Sequence, residues 1–180
     1  MLIFILPNHC RISRIPHVYL NDSMLTFVQK HSYLGVVLNY LGNDMDDIKR
    51  QMRCFYASAN SLIRIFYNCS EKVKICLFKA YCSVLYCSHL WSTYTQKCIS
   101  DVKVSYNNAF RILLGIRQRL SISETFVGNC IMTFQCKLRL ARSKFYLRLV
   151  YSENSLIEAG LSWNVMRDSL FWRKILTDCF

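Results

Sequence analysis

Paired carboxylates are the first feature of this sequence that could do chemistry, because two-metal polymerases and nucleases use them to hold Mg²⁺ near a phosphate. The one adjacent acidic pair, Asp46-Asp47, lies in the segment NDMDDIKRQ at an expected helix start. Acidic side chains stabilise the positive end of a helix dipole, so we interpret the pair as structural. The 180 residues contain no aromatic-x-Asp-Asp motif. We therefore expect a chain that is not an enzyme by itself and that holds no cofactor or metal.

Thiols and imidazoles are the next candidates. Cys82, Cys87 and His89 are close in sequence, but on a helix they would lie on different faces, which favours core packing over a metal site. None of the ten cysteines has C-x-x-C spacing, and several lie in apolar runs. This pattern predicts reduced thiols that pack as small hydrophobic groups, and therefore an intracellular protein, cytoplasmic or nuclear and not secreted. Phosphate-binding glycine motifs are absent from the sequence.

Basic residues recur at helical spacing in a chain with 23 Lys and Arg against 11 Asp and Glu, a formal charge of +12. Such an excess predicts nucleic acid or an anionic membrane surface as partner. Two expected helices carry rows that could follow the phosphates of a strand: Lys103 and Arg111 on one, and Lys137, Lys144 and Arg148 on the other. An ordinary solvated helix face explains these rows equally well, so both interpretations stay open.

The apolar stretch at 75–94, ICLFKAYCSVLYCSHLWSTY, has the length of a membrane span. Because Lys79 and His89 interrupt it, a buried core helix is favoured. The start, MLIFILP, lacks a basic region and is too short in its apolar part for a signal peptide. A membrane partner is therefore disfavoured, and it stays only as an alternative.

A small antiparallel β unit is expected to precede the helices. Apolar runs at 2–6 and 17–20 and the β-branched and aromatic residues of 23–38 predict strands. Asn21-Asp22-Ser23 is a predicted turn, and Gly42-Asn43 closes the unit.

Long helices are expected after this unit, since proline and glycine are scarce and apolar residues recur at steps of three and four. The first is expected to be capped by Asn43 or Asp44, and it carries the stripe Ile48, Met52, Phe55, Ala59, Leu62 and Phe66. The second, 71–94, follows Ser70 as cap and should be the most buried element. The later helices are expected at 98–114, ending at Gly115, at 121–128 and at 131–152, and the tail aromatics Trp163, Phe171 and Trp172 need a partner surface.

A family resemblance rests on an ordered series of segments. HSYLGVVLN (31–39) followed by DMDDIKRQM (44–52) resembles the jockey-like reverse transcriptases of non-long-terminal-repeat retrotransposons, RNA-directed DNA polymerases in which a similar segment follows the palm as a primer-grip hairpin. YASANSLIRIF (56–66), SEKVKICLFKAYCSVLYCSHLW (70–91) and SYNNAFRILLGI (105–116) look like the family's thumb helices. SISETFV (121–127) and LRLARSKF (138–145) look like its post-thumb continuation.

The resemblance implies where nucleic acid would lie. Tyr33, Leu34 and Gly35 would form a primer-grip-like site near the primer terminus. The thumb helices would hold the backbone of an RNA–DNA or RNA duplex by its shape, without sequence preference. From the residues alone, Gly35 also fits a bulge or a close approach in a strand. The family's catalytic aspartates and their Mg²⁺ belong to a palm upstream of Met1, so its activity does not transfer to these residues.

The predicted fold is α+β and mainly α. We expect an end-of-palm β unit at 1–42, a thumb-like helical bundle at 43–119 and a post-thumb helical extension at 120–180. The predicted function is that of a truncated, non-catalytic thumb and primer-grip module, with the missing palm and fingers as a further expected partner. Two alternatives remain. One is a degenerate retrotransposon-derived reading frame, whose missing palm leaves strand edges and tail aromatics uncovered. The other is a small membrane-associated helical protein.

Overall fold

A computed structural model describes residues 17, 19–26, 28–82, 85–117, 119–162 and 169–179. The predicted strand at 2–6, Val84 of the predicted second helix and the tail residue Trp163 lie outside these residues. The described chain is mainly helical with a small antiparallel β unit at its amino end, which confirms the predicted α+β class.

The β unit consists of two antiparallel hairpins. Strands β1 (Tyr19–Leu20) and β2 (Ser23–Met24) pair across Asn21 and Asp22, both of which have positive φ, as the turn chemistry predicted. Strands β3 (Lys30–Tyr33) and β4 (Val36–Asn39) form the second hairpin, in which Lys30 is opposite Asn39 and Tyr33 is opposite Val36. Helix α1 follows this hairpin closely and packs against β4.

Aromatic residues join several helices in one core. The helices of the described residues are α1 (Met45–Ile65), α2 (Glu71–Tyr81), α3 (Gln96–Leu114), α4 (Ile122–Gly128), α5 (Phe134–Val150), α6 (Ser155–Ser162) and α7 (Leu170–Cys179), with a 3₁₀ turn at Ser88–Leu90. The ring of Phe78 on α2 lies 5.3 Å from Tyr106 and 5.0 Å from Phe110, both on α3. Phe126 on α4 lies 5.1 Å from Phe110. Three helices thus meet through aromatic rings, at separations where edge-on contacts are favourable.

The first and third helices agree with their predicted stripes. On α1, Ile48, Phe55, Ala59 and Leu62 are buried, and on α3 the buried residues are Val102, Tyr106, Ala109, Phe110 and Leu113. Both sets recur at steps of three and four, as expected for helices with one face in a core. Gly115 ends α3 in the left-handed conformation, as predicted.

The second helix is much shorter than predicted, and only part of its surface is buried. It ends at Tyr81 instead of extending to residue 94. Its buried residues are Ile75 and Phe78, with Cys82 just beyond its end, whereas Val73 and Tyr81 are 44% and 63% exposed. Since α2 packs against both α1 and α3, the side that faces both is the one that is buried. The prediction that this would be the most buried helix was wrong.

Residues 85–94, which follow α2 in the described chain, form an irregular segment that contacts the start of α1. Cys87 has a left-handed φ, and the 3₁₀ turn follows it. The Asp44 carboxylate accepts hydrogen bonds from the N–H groups of Ser92 and Thr93, each at 2.6 Å. Trp91 is buried and donates from its indole nitrogen to Asp47 at 2.9 Å. These contacts explain how the apolar run can be packed in the fold without forming one long helix.

The cysteines also differ in part from their predicted role. The eight from Cys54 to Cys136 are free thiols. Of the three expected in apolar surroundings, Cys82 is buried, Cys87 is partly exposed and Cys76 is exposed. Packing as a small hydrophobic group therefore describes Cys82 best.

The carboxyl-terminal helix packs against another helix of the same chain. Helix α7 packs along α5, where Phe171 lies 6.0 Å from Phe145 and Trp172 lies 6.0 Å from Tyr146. Trp172 and Ile175 are buried. The expectation that the tail aromatics would be uncovered without a further domain is therefore wrong for Phe171 and Trp172.

Candidate nucleic-acid interface

The three primer-grip-like residues lie at the tip of the second hairpin. Leu34 and Gly35 form a two-residue turn between β3 and β4, and both have positive φ, 47° and 76°. Turns of this kind match the twist of a hairpin, and glycine adopts their backbone without strain. Tyr33 is 60% exposed and Leu34 is 74% exposed. The hairpin therefore presents an aromatic and an aliphatic side chain outward.

Tyr86 supports this tip from behind. Its hydroxyl donates to the carbonyl oxygen of Leu34 at 3.1 Å. A Cβ placed on Gly35 would lie 3.1 Å from Cε1 of the Tyr86 ring, closer than ordinary van der Waals contact. Of the sequence-based alternatives for Gly35, a close approach is present, whereas a strand bulge is not, because the residue lies in the turn.

The acidic pair fixes the hairpin to helix α1. Asp47 is buried and accepts from the backbone N–H of Val37 at 3.0 Å and from Arg50 at 2.8 Å, in addition to Trp91. Asp46 lies at the surface, 2.7 Å from the ammonium of Lys30. The hydrogen bond from Lys30 lowers the pKa of Asp46. Both carboxylates therefore have structural partners, which extends their predicted role at the helix start.

A basic cleft lies between α2 and α5, and we call it the lysine cleft. It has a volume of about 420 Å³ and is lined by Lys79, Lys137 and Lys144 together with Cys130, Ile131, Met132, Leu140 and Ala141. Two of the predicted backbone contacts, Lys137 and Lys144, are thus in one place, while Arg148 continues the row as an exposed residue. No carboxylate is among the described residues that line the cleft. The arrangement can attract an anion, such as a phosphate of a nucleic-acid backbone.

Lys137 lies at the inner side of the cleft. Its ammonium is 5.0 Å from the centre of the Tyr106 ring, in a cation–π contact. Burial lowers the pKa of Lys137 to about 8, and nearby Cys82 acts in the opposite direction. Burial also raises the pKa of the Cys82 thiol to about 11. Lys137 is therefore a partly desolvated amine, unlike the exposed Lys144.

Lys79 is a cleft residue that the sequence-based rows missed. Its ammonium donates to the carbonyl oxygen of Asn129 at 2.7 Å, joining α2 to the turn before α5. Helical spacing relates residues on one helix only, so it contains no signal for a contact across 50 positions.

Near Arg148, at the other end of the row on α5, burial lowers the pKa of His89, and the charge of Arg148 lowers it further.

The two basic residues of the predicted row on α3 differ in exposure, although their spacing places them on one side of the helix. Lys103 is exposed, as a backbone contact requires. Arg111 is half-buried and donates from Nη2 to the carbonyl oxygen of Leu120 at 3.1 Å, so it holds the loop after α3. On α5, Arg142 is buried and donates to the carbonyl oxygen of Trp91 at 2.7 Å and to the hydroxyl of Tyr94 at 3.0 Å. Periodicity alone does not separate these structural arginines from free ones.

Two further properties concern metals and membranes. In the described ranges, no group of three or more His, Cys, Asp or Glu side chains is arranged to hold a metal ion. The helices built from these residues include none with the length and apolar character of a membrane span. The stretch 75–94, considered as a candidate span, is divided between α2, a turn and the extended segment that includes Trp91.

Comparisons of the chain with protein-family models, with curated proteins and with solved structures gave no match.

Proposed function

We propose that this chain is a non-catalytic, thumb-like module that contacts the backbone of an RNA–DNA hybrid or RNA duplex without reading base sequence. The lysine cleft is the observation that carries the proposal. Lys79, Lys137 and Lys144 meet there from two helices, and the described residues that line the cleft include no acidic one. Contacts from such side chains to phosphates position a strand and contribute no sequence preference.

The row of basic residues on α5 is long enough to contact several phosphates of one nucleic-acid strand. Lys137, Lys144 and Arg148 span 11 helical steps, or about 16 Å at 1.5 Å per residue. That distance is comparable to several consecutive phosphates of one strand, which are about 3.4 Å apart along a duplex axis. The chain's formal charge of +12 supplies the long-range attraction for an anionic polymer.

The hairpin tip is the second part of the proposed contact surface. Tyr33 and Leu34 are exposed at a turn whose backbone is held by Tyr86 and whose strand β4 is held by Asp47. A rigid tip with an aromatic side chain suits contact with the end of a duplex, as the resemblance to a primer-grip hairpin implies. The catalytic carboxylates would be supplied by palm residues outside these 180 positions, and so would their Mg²⁺.

Equilibrium binding with a matched pair of variants tests this function. Lys144→Ala/Arg148→Ala removes two charges from the proposed surface, while Arg64→Ala/Lys72→Ala removes two exposed charges from the region joining α1 and α2. Fluorescence anisotropy would measure affinity for RNA duplexes and RNA–DNA hybrids of two unrelated sequences. We expect the first variant to lose roughly 10- to 100-fold in affinity at 0.1 M salt, on all sequences alike.

The control variant should lose much less, because it changes the net charge equally but lies away from the cleft. Equal losses from both variants would show general attraction to a basic protein instead of a defined surface. A strong preference for one sequence, or for anionic vesicles over duplexes, would contradict the proposal.

A further inference from the structure

The side-chain amine of Lys137, at the inner side of the lysine cleft, is partly removed from water and lies against an aromatic ring. Lys137 is partly buried, and its ammonium lies over the ring of Tyr106, which is itself buried. The ring is held in place because the Tyr106 hydroxyl donates to the carbonyl oxygen of Met132 at 3.2 Å. The ion pairs formed within the described residues are Lys30–Asp46 and Arg50–Asp47, so none involves Lys137.

Burial of the amine favours its neutral form. The titratable groups near it are Lys79 from α2, the Cys82 thiol just beyond that helix, the Tyr106 hydroxyl from α3, Cys130 from the turn and Lys144 from its own helix. None of these is a carboxylate that would stabilise an ammonium. The remaining walls are apolar, formed by Ile131, Met132, Leu140 and Ala141.

We propose that Lys137 is a preferred acylation site, at which a phosphate-bearing acyl thioester reacts directly with the amine. The cleft provides the two features that this chemistry needs. Lys79 and Lys144 present positive charge beside the amine for the donor's phosphates, and the apolar walls accept the acyl group. The amine is open to the cleft, since its side chain is only partly buried.

The reaction is balanced without any oxidant or reductant. The lone pair of Lys137 Nζ attacks the thioester carbonyl carbon, and a C–N bond forms as the C–S bond breaks. The leaving thiolate takes the proton that the nitrogen loses, which gives an amide and a free thiol. The positive charge of Lys137 is then gone, as in any lysine acylation.

The expected selectivity follows from the fraction of neutral amine. A pKa lowered from 10.5 to about 8 raises that fraction at pH 7 by roughly 300-fold. A less basic amine is also a weaker nucleophile, and partial burial slows access, so we expect a net rate advantage of roughly tenfold over an exposed lysine.

Mass spectrometry on the intact folded chain tests the proposal independently of nucleic-acid binding. The protein would be incubated with acetyl-coenzyme A and a reductant at pH 7, and acetylation of each lysine would be quantified over time. Lys103 and Lys72 serve as exposed helical references. We expect Lys137 to react first, with a rate that levels off above about pH 8, while the reference rates keep rising. In denaturing urea this selectivity should disappear.

Two variants complete the experiment. Lys137→Arg should abolish the fast site while leaving the reference lysines unchanged. Lys79→Ala/Lys144→Ala should slow the reaction with acetyl-coenzyme A several-fold but leave the reaction with a small uncharged thioester within about twofold. Reaction of Lys137 no faster than Lys103, or the same selectivity in urea, would overturn the proposal. An equal effect of the double substitution on both donors would refute the role of the flanking lysines.

Discussion

The adjacent acids Asp46 and Asp47 provide a sharp test of the fold, because the same substitution at neighbouring positions should have very different effects. Asp47 is buried and links three parts of the chain: Val37 of β4, Arg50 of α1 and Trp91 after the 3₁₀ turn. Asp46 is partly exposed and accepts from Lys30, which is largely exposed, and from the side-chain amide of Asn39. Changing each to asparagine keeps the side-chain volume and removes one charge.

The expected cost at Asp47 follows from the atoms that meet there. One carboxylate oxygen accepts from Val37 and Arg50, and the other accepts from Trp91. An amide nitrogen in place of the second oxygen would face the indole N–H, leaving two donors together at about 1–3 kcal/mol. The weakened pair with the partly exposed Arg50 adds about 0.5–1 kcal/mol. Asp47→Asn should therefore destabilise the protein by about 1.5–4 kcal/mol.

Asp46→Asn should cost about 1 kcal/mol or less, since its ion pair lies at the surface. Reversible urea unfolding followed by circular dichroism, under reducing conditions, would measure both variants. At roughly 2–4 °C per kcal/mol for a chain of this size, Asp47→Asn should also lower Tm by roughly 3–16 °C. Costs that agree within about 0.5 kcal/mol would refute the idea that Asp47 anchors the hairpin to α1.

Three other predictions concern the core, the hairpin turn and catalysis. Leu62→Ala should cost about 2–5 kcal/mol because Leu62 is in the core, whereas the exposed Arg64→Ala should cost about 0.5 kcal/mol or less; similar costs in urea unfolding would mean that the α1 stripe is not a core. Gly35→Ala should cost about 1–3 kcal/mol through its positive φ and the Tyr86 ring, while Gly128→Ala, in open space on α4, should be neutral or slightly stabilising; the reverse order of melting temperatures would refute this turn geometry. The purified chain should extend no primer with Mg²⁺ or Mn²⁺, and template-dependent incorporation abolished by a substitution within these residues would disprove the proposed non-catalytic role.

The elements that were predicted correctly are those whose local sequence pattern matches the face that they bury in the folded protein. Helices α1 and α3 each bury one stripe, so periodicity located them and their core residues. Gly115 and the Asn21–Asp22 turn were found because their residue types suit left-handed backbone. The second helix was predicted too long because an apolar run is compatible with any buried element. Residues 87–94, the last third of the predicted helix, instead form an irregular segment in which Ser88 and Trp91 are buried. Asp44 and Asp47 hold this segment through contacts that no local pattern indicates.

The candidate site was predictable only in part, for a similar reason. Lys137 and Lys144 were found from their spacing on one helix, and they share a cleft. Lys79 joins them from α2 through a contact far along the chain, and the burial of Arg142 depends on residues 91–94. The partial burial of Lys137 depends on the position of Tyr106 on another helix. Such properties come from tertiary packing, which the spacing of charges along one helix does not contain.

The dependence of duplex affinity on salt tests the central claim most directly. If the cleft and the α5 row make four or five phosphate contacts, the slope of log affinity against log salt should be roughly −3 to −4.5. Lys144→Ala/Arg148→Ala should flatten that slope by about one to two units, and Arg64→Ala/Lys72→Ala should leave it nearly unchanged. A slope near zero, or one that the Lys144/Arg148 variant leaves as it was, would contradict a thumb-like contact with the nucleic-acid backbone.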